Sequence, residues 1–418
     1  MNIVTPLLWI SILRPYPGFV PISTALAIGG RVIDALILAA AILALTSRGH
    51  AAHPPSIFRP LWFTSIALWI YSCGLLFYAN LMGLTISIRD LFEPHRLFLM
   101  ALLLLFSFNH SPAQIIHSWK KLWVGSVLIY LLIVLSQNLN LDIFNSLVEL
   151  IWGASKTKYV PELGISRQTG FFINPNWAGV FLSWALTYFL IVDSMSSFLR
   201  FSMVSVTIFL VIMSGSRTGL ICCFFVFGVY LFIISWRRTL SVSFITAGLL
   251  YIASLYLDLL SFFPVHHREL LTTLIERRDL SEVSTFGDRL EIWAEALKNY
   301  FFPSYGLGTG PLKFAVASVL DNQYIKWLVW YGVPGLICHL IFYMTVSVQL
   351  YKASRKGACY ESRLATALLV MLLALLLASI TGAFFDVTQL SFLFMMLCGG
   401  VLKATAHYEK DALVQGSK

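Results

Sequence analysis

Charged residues are scarce in this sequence. Asp, Glu, Lys and Arg make up 12% of the chain, whereas hydrophobic residues make up 58%. Because soluble globular domains carry about 25% charged residues, the composition excludes that class and predicts an integral membrane protein. No polar linker rich in Pro and Ser divides the chain. We therefore predict one polytopic membrane domain over residues 1–418, with a partly helical insertion outside the membrane at 263–325.

Several other signatures are missing. The six cysteines form no Cys-x-x-Cys pair, so neither a disulfide framework nor a zinc site is expected. The formal charge is +9, but no soluble segment carries a basic stripe with interleaved aromatics, which argues against nucleic acid and favours anionic lipid or an anionic substrate. The N-terminus lacks a basic region and a small-residue cleavage site, which predicts a retained first span from residue 3.

Long apolar runs predict an all-α fold with about 12 transmembrane helices, since a helix needs about 20 apolar residues to cross a bilayer. The predicted spans cover about residues 3–29, 31–46, 60–81, 96–109, 121–138, 170–192, 200–214, 218–235, 240–262, 326–350, 363–381 and 388–405. The clusters of Lys and Arg between them fall on one side, which the positive-inside rule assigns to the cytoplasm. The connections on the other side are 82–95, 139–169, 214–217, 263–325 and 382–387.

Arginine is prominent on that predicted outer side. Arg217 lies in Ser-Gly-Ser-Arg-Thr-Gly at 214–219, between two apolar runs, and Arg167 and Arg289 lie in longer connections. A cation at a membrane boundary is costly unless it meets an anion or reaches the headgroups. Guanidinium groups bind phosphate in a bidentate manner, so the pattern predicts a phosphate-bearing ligand. The alternative is that individual arginines pair with acidic residues or lipid.

The insertion contains a predicted amphipathic helix. Thr285-Phe-Gly-Asp288 resembles a capping box, which predicts a helix from Asp288 to about Phe301. One face of that helix is apolar and contains Leu290, Trp293, Leu297 and Phe301. Arg289 falls in the first turn, where a positive charge is unfavourable. Its anionic partner is either an acidic neighbour, Asp288 or Glu291, or a ligand phosphate.

Two further polar groups follow the helix. Gly306, Gly308 and Gly310 form a loop whose backbone either approaches a ligand or makes a simple turn. Asp321 and Asn322 stand just before an apolar run. They either cap the helix or accept a proton and orient a sugar hydroxyl.

Isolated polar residues mark other helix ends. Asn174, Asn176 and Trp177 open an apolar run, where Asn176 is either an N-cap or half of an amide and aromatic pair that binds sugar. Asp386 lies in a short apolar turn. We expect it to pair with an arginine, the alternative being a cap on the last span. His339 lies inside a span and is expected to be a packing or hydrogen-bonded residue.

The order of these motifs resembles the O-antigen polymerase and O-antigen ligase superfamily. The resemblance rests on Thr-Gly-Phe-Phe-Ile-Asn-Pro-Asn at 169–176, the 214–219 motif, Arg289 with Trp293, the glycine loop, and Asp-Asn-Gln-Tyr at 321–324 followed by Trp-Tyr-Gly-Val-Pro-Gly-Leu at 330–336. It implies a largely helical glycosyltransferase of the lipid-carrier class in the bacterial inner membrane. Such an enzyme uses undecaprenyl-diphosphate-linked glycans on the periplasmic face, without a metal, nucleotide or other cofactor.

The resemblance also implies roles for particular residues. Arg217 and Arg289 match the two arginines of the family and would hold the diphosphate. Asp321 stands where the ligases have histidine, which favours a repeat-unit polymerase and makes Asp321 the candidate base. The remaining candidates for binding substrate are Arg167, Asn174, Asn176, Asn322, Tyr324 and Asp386.

The expected partners are the lipid-linked glycan donor and acceptor, membrane lipids and a chain-length regulator. Two alternatives remain open. One is a ligase that transfers finished polymer to lipid A–core. The other is a transporter or flippase of lipid-linked sugars, although no internal repeat with paired broken helices is evident.

Overall fold

The computed structural model describes residues 4–13, 58–86, 90–110, 119–139, 158–160, 165–172, 174–192, 195–233, 284–312, 320–357 and 359–416. Most of them are helical. In chain order the helices are α1 (Val4–Leu13), α2 (Arg59–Leu81), α3 (Arg96–His110), α4 (Trp119–Asn138), α5 (Pro175–Ile191), α6 (Ser197–Ser214), α7 (Arg217–Ile233), α8 (Ser284–Ala296), α9 (Gln323–Ser354), α10 (Tyr360–Ala378) and α11 (Thr388–Gly416). A π-helical turn over Leu297–Phe301 extends α8. Short 3₁₀ turns lie at Asp90–Phe92 and Phe384–Asp386.

The described helices are those of a polytopic membrane protein. Six of them are long and apolar enough to cross a membrane by length and composition, namely α2, α4, α6, α9, α10 and most of α11. Helices α3 and α7 are apolar but shorter. The predicted all-α membrane class is confirmed, whereas the total of about 12 spans stays a prediction. The predicted spans 31–46 and 240–262, and the rest of the first span, lie outside the described residues.

A small β-hairpin precedes α5. Strand β1 (Lys158–Val160) pairs antiparallel with β2 (Ile165–Arg167), with Lys158 opposite Arg167. The chain then turns at Gly170, whose φ of 57° is in the left-handed region, and a Cβ there would overlap the ring of Tyr130. The backbone N–H of Gln168 donates to the carbonyl of Met213 at 3.2 Å. These contacts bring the connection before α5 to the end of α6.

Helix α11 lies at the centre of the bundle. In its apolar stretch, Gln389–Ala406, 89% of the residues are buried, against 28% in α6. It packs closely on α3: the backbones approach so near at Gly399 that a Cβ there would overlap the carbonyl oxygen of Leu104. The outer helices instead expose large apolar side chains, including Phe63 and Phe201 at 75% and 73%. Apolar side chains on the outside are expected where lipid is the solvent.

Helix α9 is broken near its first third. Gly332 has φ 63° and ψ −167°, and Pro334 has no N–H to donate. The glycine loop supplies the hydrogen-bond donors that the helix lacks at the break. Thr309 and Gly310 donate their N–H groups to the carbonyls of Val329 and Trp330 at 3.0 and 2.9 Å.

The glycines permit this close approach. A Cβ at Gly308 would lie 2.5 Å from the nitrogen of Gly332, and Val333 donates its N–H back to the carbonyl of Gly306 at 2.8 Å. The close approach that these glycines permit is to the backbone of α9, and an approach to a ligand stays a prediction.

Candidate active site

Arg217 is the first residue of α7, and the turn before it is tightly defined. Helix α6 ends at Gly215 in the left-handed conformation, with φ 59° and ψ 25°. Ser216 then caps α7, since its Oγ accepts from the N–H of Gly219 at 2.9 Å. The same hydroxyl donates to Oδ1 of Asn176 at 3.1 Å. Arg217 is half-buried, and the capped turn before it fixes its backbone at the start of α7.

Glycine at the end of the motif lets α5 and α7 touch. A Cβ at Gly219 would lie 2.6 Å from the Cα of Gly179, a distance that real side chains do not adopt. The N-cap of α5 is Asn174, which accepts from the N–H of Asn176 at 2.8 Å. The interpretation of Asn176 as the cap is therefore wrong by two residues, because Pro175 occupies the first helical position. Asn176 instead joins α5 to the turn before Arg217.

Arg289 forms an ion pair with Asp321. The distance from Nε to Oδ2 is 3.0 Å, and the two side chains are 30% and 39% exposed. Nη1 of Arg289 also donates to the carbonyl of Thr381 at 3.2 Å. The predicted partners within the same helix were Asp288 and Glu291. The carboxylate that binds Arg289 comes instead from 32 residues further along the chain, because α8 packs beside the start of α9.

Helix α8 differs from its predicted extent. It begins at Ser284, one residue before the predicted cap Thr285. The N–H groups of a first turn have no acceptor within the helix, so Thr285 and Gly287 are accommodated there. Trp293 and Ala296 are buried, while Leu290 is 40% exposed. The buried face is thus rotated from the predicted one, and it directs Arg289 towards Asp321.

A pair of threonines joins the two arginine-bearing segments. The hydroxyls of Thr218 and Thr381 are 2.9 Å apart. Thr218 follows Arg217 directly, and Thr381 accepts from Arg289 through its carbonyl. The structure therefore brings Arg217, Arg289 and Asp321 to one end of the bundle, where α7 and α9 begin and α10 ends. Sequence reasoning did not find either threonine, and only the position of Thr218 beside Arg217 could have indicated one of them.

Two of the predicted substrate-binding residues, Asn322 and Tyr324, lie at the start of α9. Oδ1 of Asn322 accepts from the N–H groups of Tyr324 and Ile325 at 2.9 and 3.1 Å, so Asn322 is the N-cap of α9. The hydroxyl of Tyr324 donates to the carbonyl of Leu376 at 2.8 Å. The capping interpretation of Asn322 is confirmed. Both residues fix the start of α9 against α10.

Asp386 lies in a largely buried ionic cluster beside the first turn of α9. Its carboxylate pairs with Lys326, which is 8% exposed, and accepts from Nε2 of Gln323 at 3.2 Å. Arg96 donates to the backbone carbonyl of Asp386 and forms a 2.7 Å ion pair with Glu93. The expected arginine contact is thus made by the main chain of Asp386, while its carboxylate binds a lysine.

Other predicted residues lie at the margin of the site or away from it. Arg167 is the last residue of β2, and its side chain lies outside the described part of the structure. His339 stacks on Trp327 with ring centroids 4.2 Å apart and bonds to the carbonyl of Gly335 at 2.8 Å, which confirms its packing role. Among the described residues, no group of three or more His, Cys, Asp or Glu side chains is placed to hold a metal ion.

The fold and this site define a polytopic all-α membrane protein with an arginine-bearing polar site at one end of its bundle. Residues 202–340 match the family model described as O-antigen ligase, and this stretch supports the predicted resemblance to the O-antigen ligase and polymerase superfamily. The match includes Arg217, Arg289 and Asp321 and stops before Thr381. It supports, in general terms, the function of a membrane glycosyltransferase-like enzyme. No curated protein matches the chain.

Proposed function

We propose that this protein polymerises undecaprenyl-diphosphate-linked oligosaccharide repeat units on the periplasmic face of the bacterial inner membrane. An acceptor sugar hydroxyl attacks the anomeric carbon of the donor glycan, and a new glycosidic C–O bond forms. The bond from that carbon to the lipid diphosphate breaks, and the diphosphate leaves with the electron pair. The observation that carries the proposal is the Arg289–Asp321 ion pair, joined through Thr381 and Thr218 to the helix that begins with Arg217.

The arginines are suited to a diphosphate leaving group. Guanidinium has five N–H donors, and the bonds of Arg289 to Asp321 and Thr381 use Nε and one N–H of Nη1. The remaining N–H groups supply further donors in a fork that matches phosphate. Arg217 stands at the N-terminus of α7, where the helix dipole also favours an anion. Fixed cations of this kind stabilise charge that develops on the leaving group.

Asp321 supplies a carboxylate beside Arg289. With 39% of its side chain exposed, it is accessible to an acceptor hydroxyl and is our candidate for the base that takes the proton. The ion pair also orients Arg289. The loss of Asp321 would therefore affect both proton transfer and the position of one cation.

The other candidate residues divide into two groups. We assign Asn174, Asn176, Asn322, Tyr324 and Asp386 to the frame of the site, because each bonds to backbone or to a neighbouring side chain. Arg167 stays a predicted contact to substrate. A chain-length regulator stays a predicted partner.

The experiment that tests the proposal is a gel of surface polysaccharide from a strain that lacks this gene. A polymerase predicts lipid A–core with a single repeat unit and no ladder above it, and the plasmid-borne gene should restore the ladder. Bare lipid A–core, with long polymer retained on the carrier lipid, would instead establish a ligase. An unchanged ladder would contradict both and favour a transporter or a different glycan.

A further inference from the structure

The segment 379–386 links α10 to α11 and contacts the three segments that carry Arg217, Arg289 and Asp321. The carbonyl of Ser379 accepts from the N–H of Gln323 at 2.9 Å, directly after Asp321 and Asn322. The carbonyl of Thr381 accepts from Arg289, and its hydroxyl bonds to that of Thr218. Asp386 holds Lys326 in α9. One short connection thus joins the starts of α7 and α9 to α8.

Thr381 has a defined orientation. Its N–H donates to the carbonyl of Ala378 at 2.9 Å, and its hydroxyl donates to the same oxygen at 3.1 Å. A hydroxyl has one hydrogen to donate. Both contacts of Thr381 Oγ1 are satisfied when its hydrogen goes to the Ala378 carbonyl and the hydroxyl of Thr218 donates to it.

The rest of the segment is fixed by packing and charge. A Cβ at Gly382 would overlap the ring of Phe384, so the turn after Thr381 is close-packed. At the far end Asp386 binds Lys326, whose ammonium also lies 4.0 Å from the centre of the Trp330 ring. The segment is thus held at both ends and has little freedom to shift.

We infer that Thr381 is the positioning residue that sets Arg217 and Arg289 at a fixed separation around the diphosphate, with segment 379–386 as its support. The inference rests on the proposed function, because it concerns the same arginines. It reaches beyond the matched family region, which ends at residue 340. Since a displacement of about 1 Å can cost on the order of 100-fold in rate, one missing hydroxyl in this junction should reduce turnover.

Thr381→Val tests the hydroxyl while it leaves the carbonyl that binds Arg289. We expect polymerisation in membranes supplied with lipid-linked repeat units to slow by about 10-fold, with kcat reduced and KM nearly unchanged. Thr381→Ser retains the hydroxyl and should restore the rate. The matched control is Thr366→Val, because the Thr366 hydroxyl bonds within its own helix, to the Ser362 carbonyl at 2.9 Å.

A double variant separates positioning from general damage to the fold. If the two hydroxyls act through each other, Thr218→Val combined with Thr381→Val should be no slower than the slower of the two single variants. Additive losses, a rate for Thr381→Val equal to that of Thr366→Val, or no recovery with serine would overturn the inference.

Arg217→Ala, measured in the same assay, distinguishes this failure from failure of the proposed function. If Arg217→Ala abolishes polymer synthesis and Thr381→Val leaves the rate of polymerisation unchanged, only the positioning role of Thr381 is wrong. If Arg217→Ala also leaves polymer unchanged, the proposed function is wrong as well.

Discussion

The middle of the bundle and the end that carries Arg217 are held together by different forces. In the middle, residues 389–406 of α11 are almost fully buried and meet α3 at Gly399, where the fit depends on the absence of a side chain. At the end, ion pairs and hydrogen bonds join residues that are far apart in the sequence, such as Arg289 to Asp321 and Thr218 to Thr381. The middle depends on shape, whereas the end depends on a few directional bonds. Substitutions should therefore separate folding from turnover.

The largest effect is expected from the arginines at the polar end. Arg217→Ala and Arg289→Ala should each reduce polymer synthesis by about 1000-fold, because each removes a preorganised cation from the leaving group. Arg217→Lys should also be impaired, since a point charge does not reproduce the guanidinium fork. The measurement is the polysaccharide ladder of a complemented strain, with membrane levels of the protein checked by immunoblot. Normal chain length in both alanine variants would show that Arg217 and Arg289 do not hold the diphosphate.

The ion pair of Asp386 with Lys326 combines features of both regions, because it is a directional polar bond like those at the end and is shielded from solvent like the middle. Asp386→Asn leaves Lys326 charged and buried, which costs about 3 kcal/mol when a buried pair loses one partner. We expect a lower unfolding temperature in detergent. Adding Lys326→Met to Asp386→Asn should recover part of that loss, because no unpaired charge remains. A double variant less stable than the single variant would show that the ion pair is not the stabilising feature.

Asp321→Asn should act on turnover and spare stability. It removes both the candidate base and the negative charge that orients Arg289, so we expect about a 100-fold lower rate with an unchanged unfolding temperature. Glu291→Gln is the matched control, because Glu291 is an exposed acid on the same helix as Arg289. If the rate of Asp321→Asn equals that of the control, Asp321 has no part in the reaction.

The smallest effect is expected in the middle of the bundle. Gly399→Ala adds one methyl group against the carbonyl of Leu104, and such overpacking costs about 1–2 kcal/mol. Gly74→Ala is the control, since a Cβ built there meets no heavy atom of another described segment within 4 Å. Thermal unfolding in detergent measures both variants. Equal stability of the two variants would show that α3 and α11 separate easily, contrary to the close fit at Gly399.

The sequence predicted the fold more closely than the site, for a physical reason. Apolar runs report burial along one helix, so α2 was predicted at 60–81 and lies at Arg59–Leu81. Which segments meet at the ends of helices depends on packing between distant parts of the chain. The contact of Thr218 with Thr381 spans 163 residues, and no local pattern indicates it. The candidate arginines were recognised as a set, but their partners were not.

The broken helix α9 has a consequence for the order in which the protein is assembled. The carbonyls of Val329 and Trp330 receive their hydrogen bonds from Thr309 and Gly310, and an unsatisfied carbonyl in hydrocarbon costs several kcal/mol. The glycine loop precedes α9 in the chain, so a ribosome completes the loop before the helix that needs it. Biogenesis of α9 in the bilayer is therefore coupled to docking of a segment that is already synthesised.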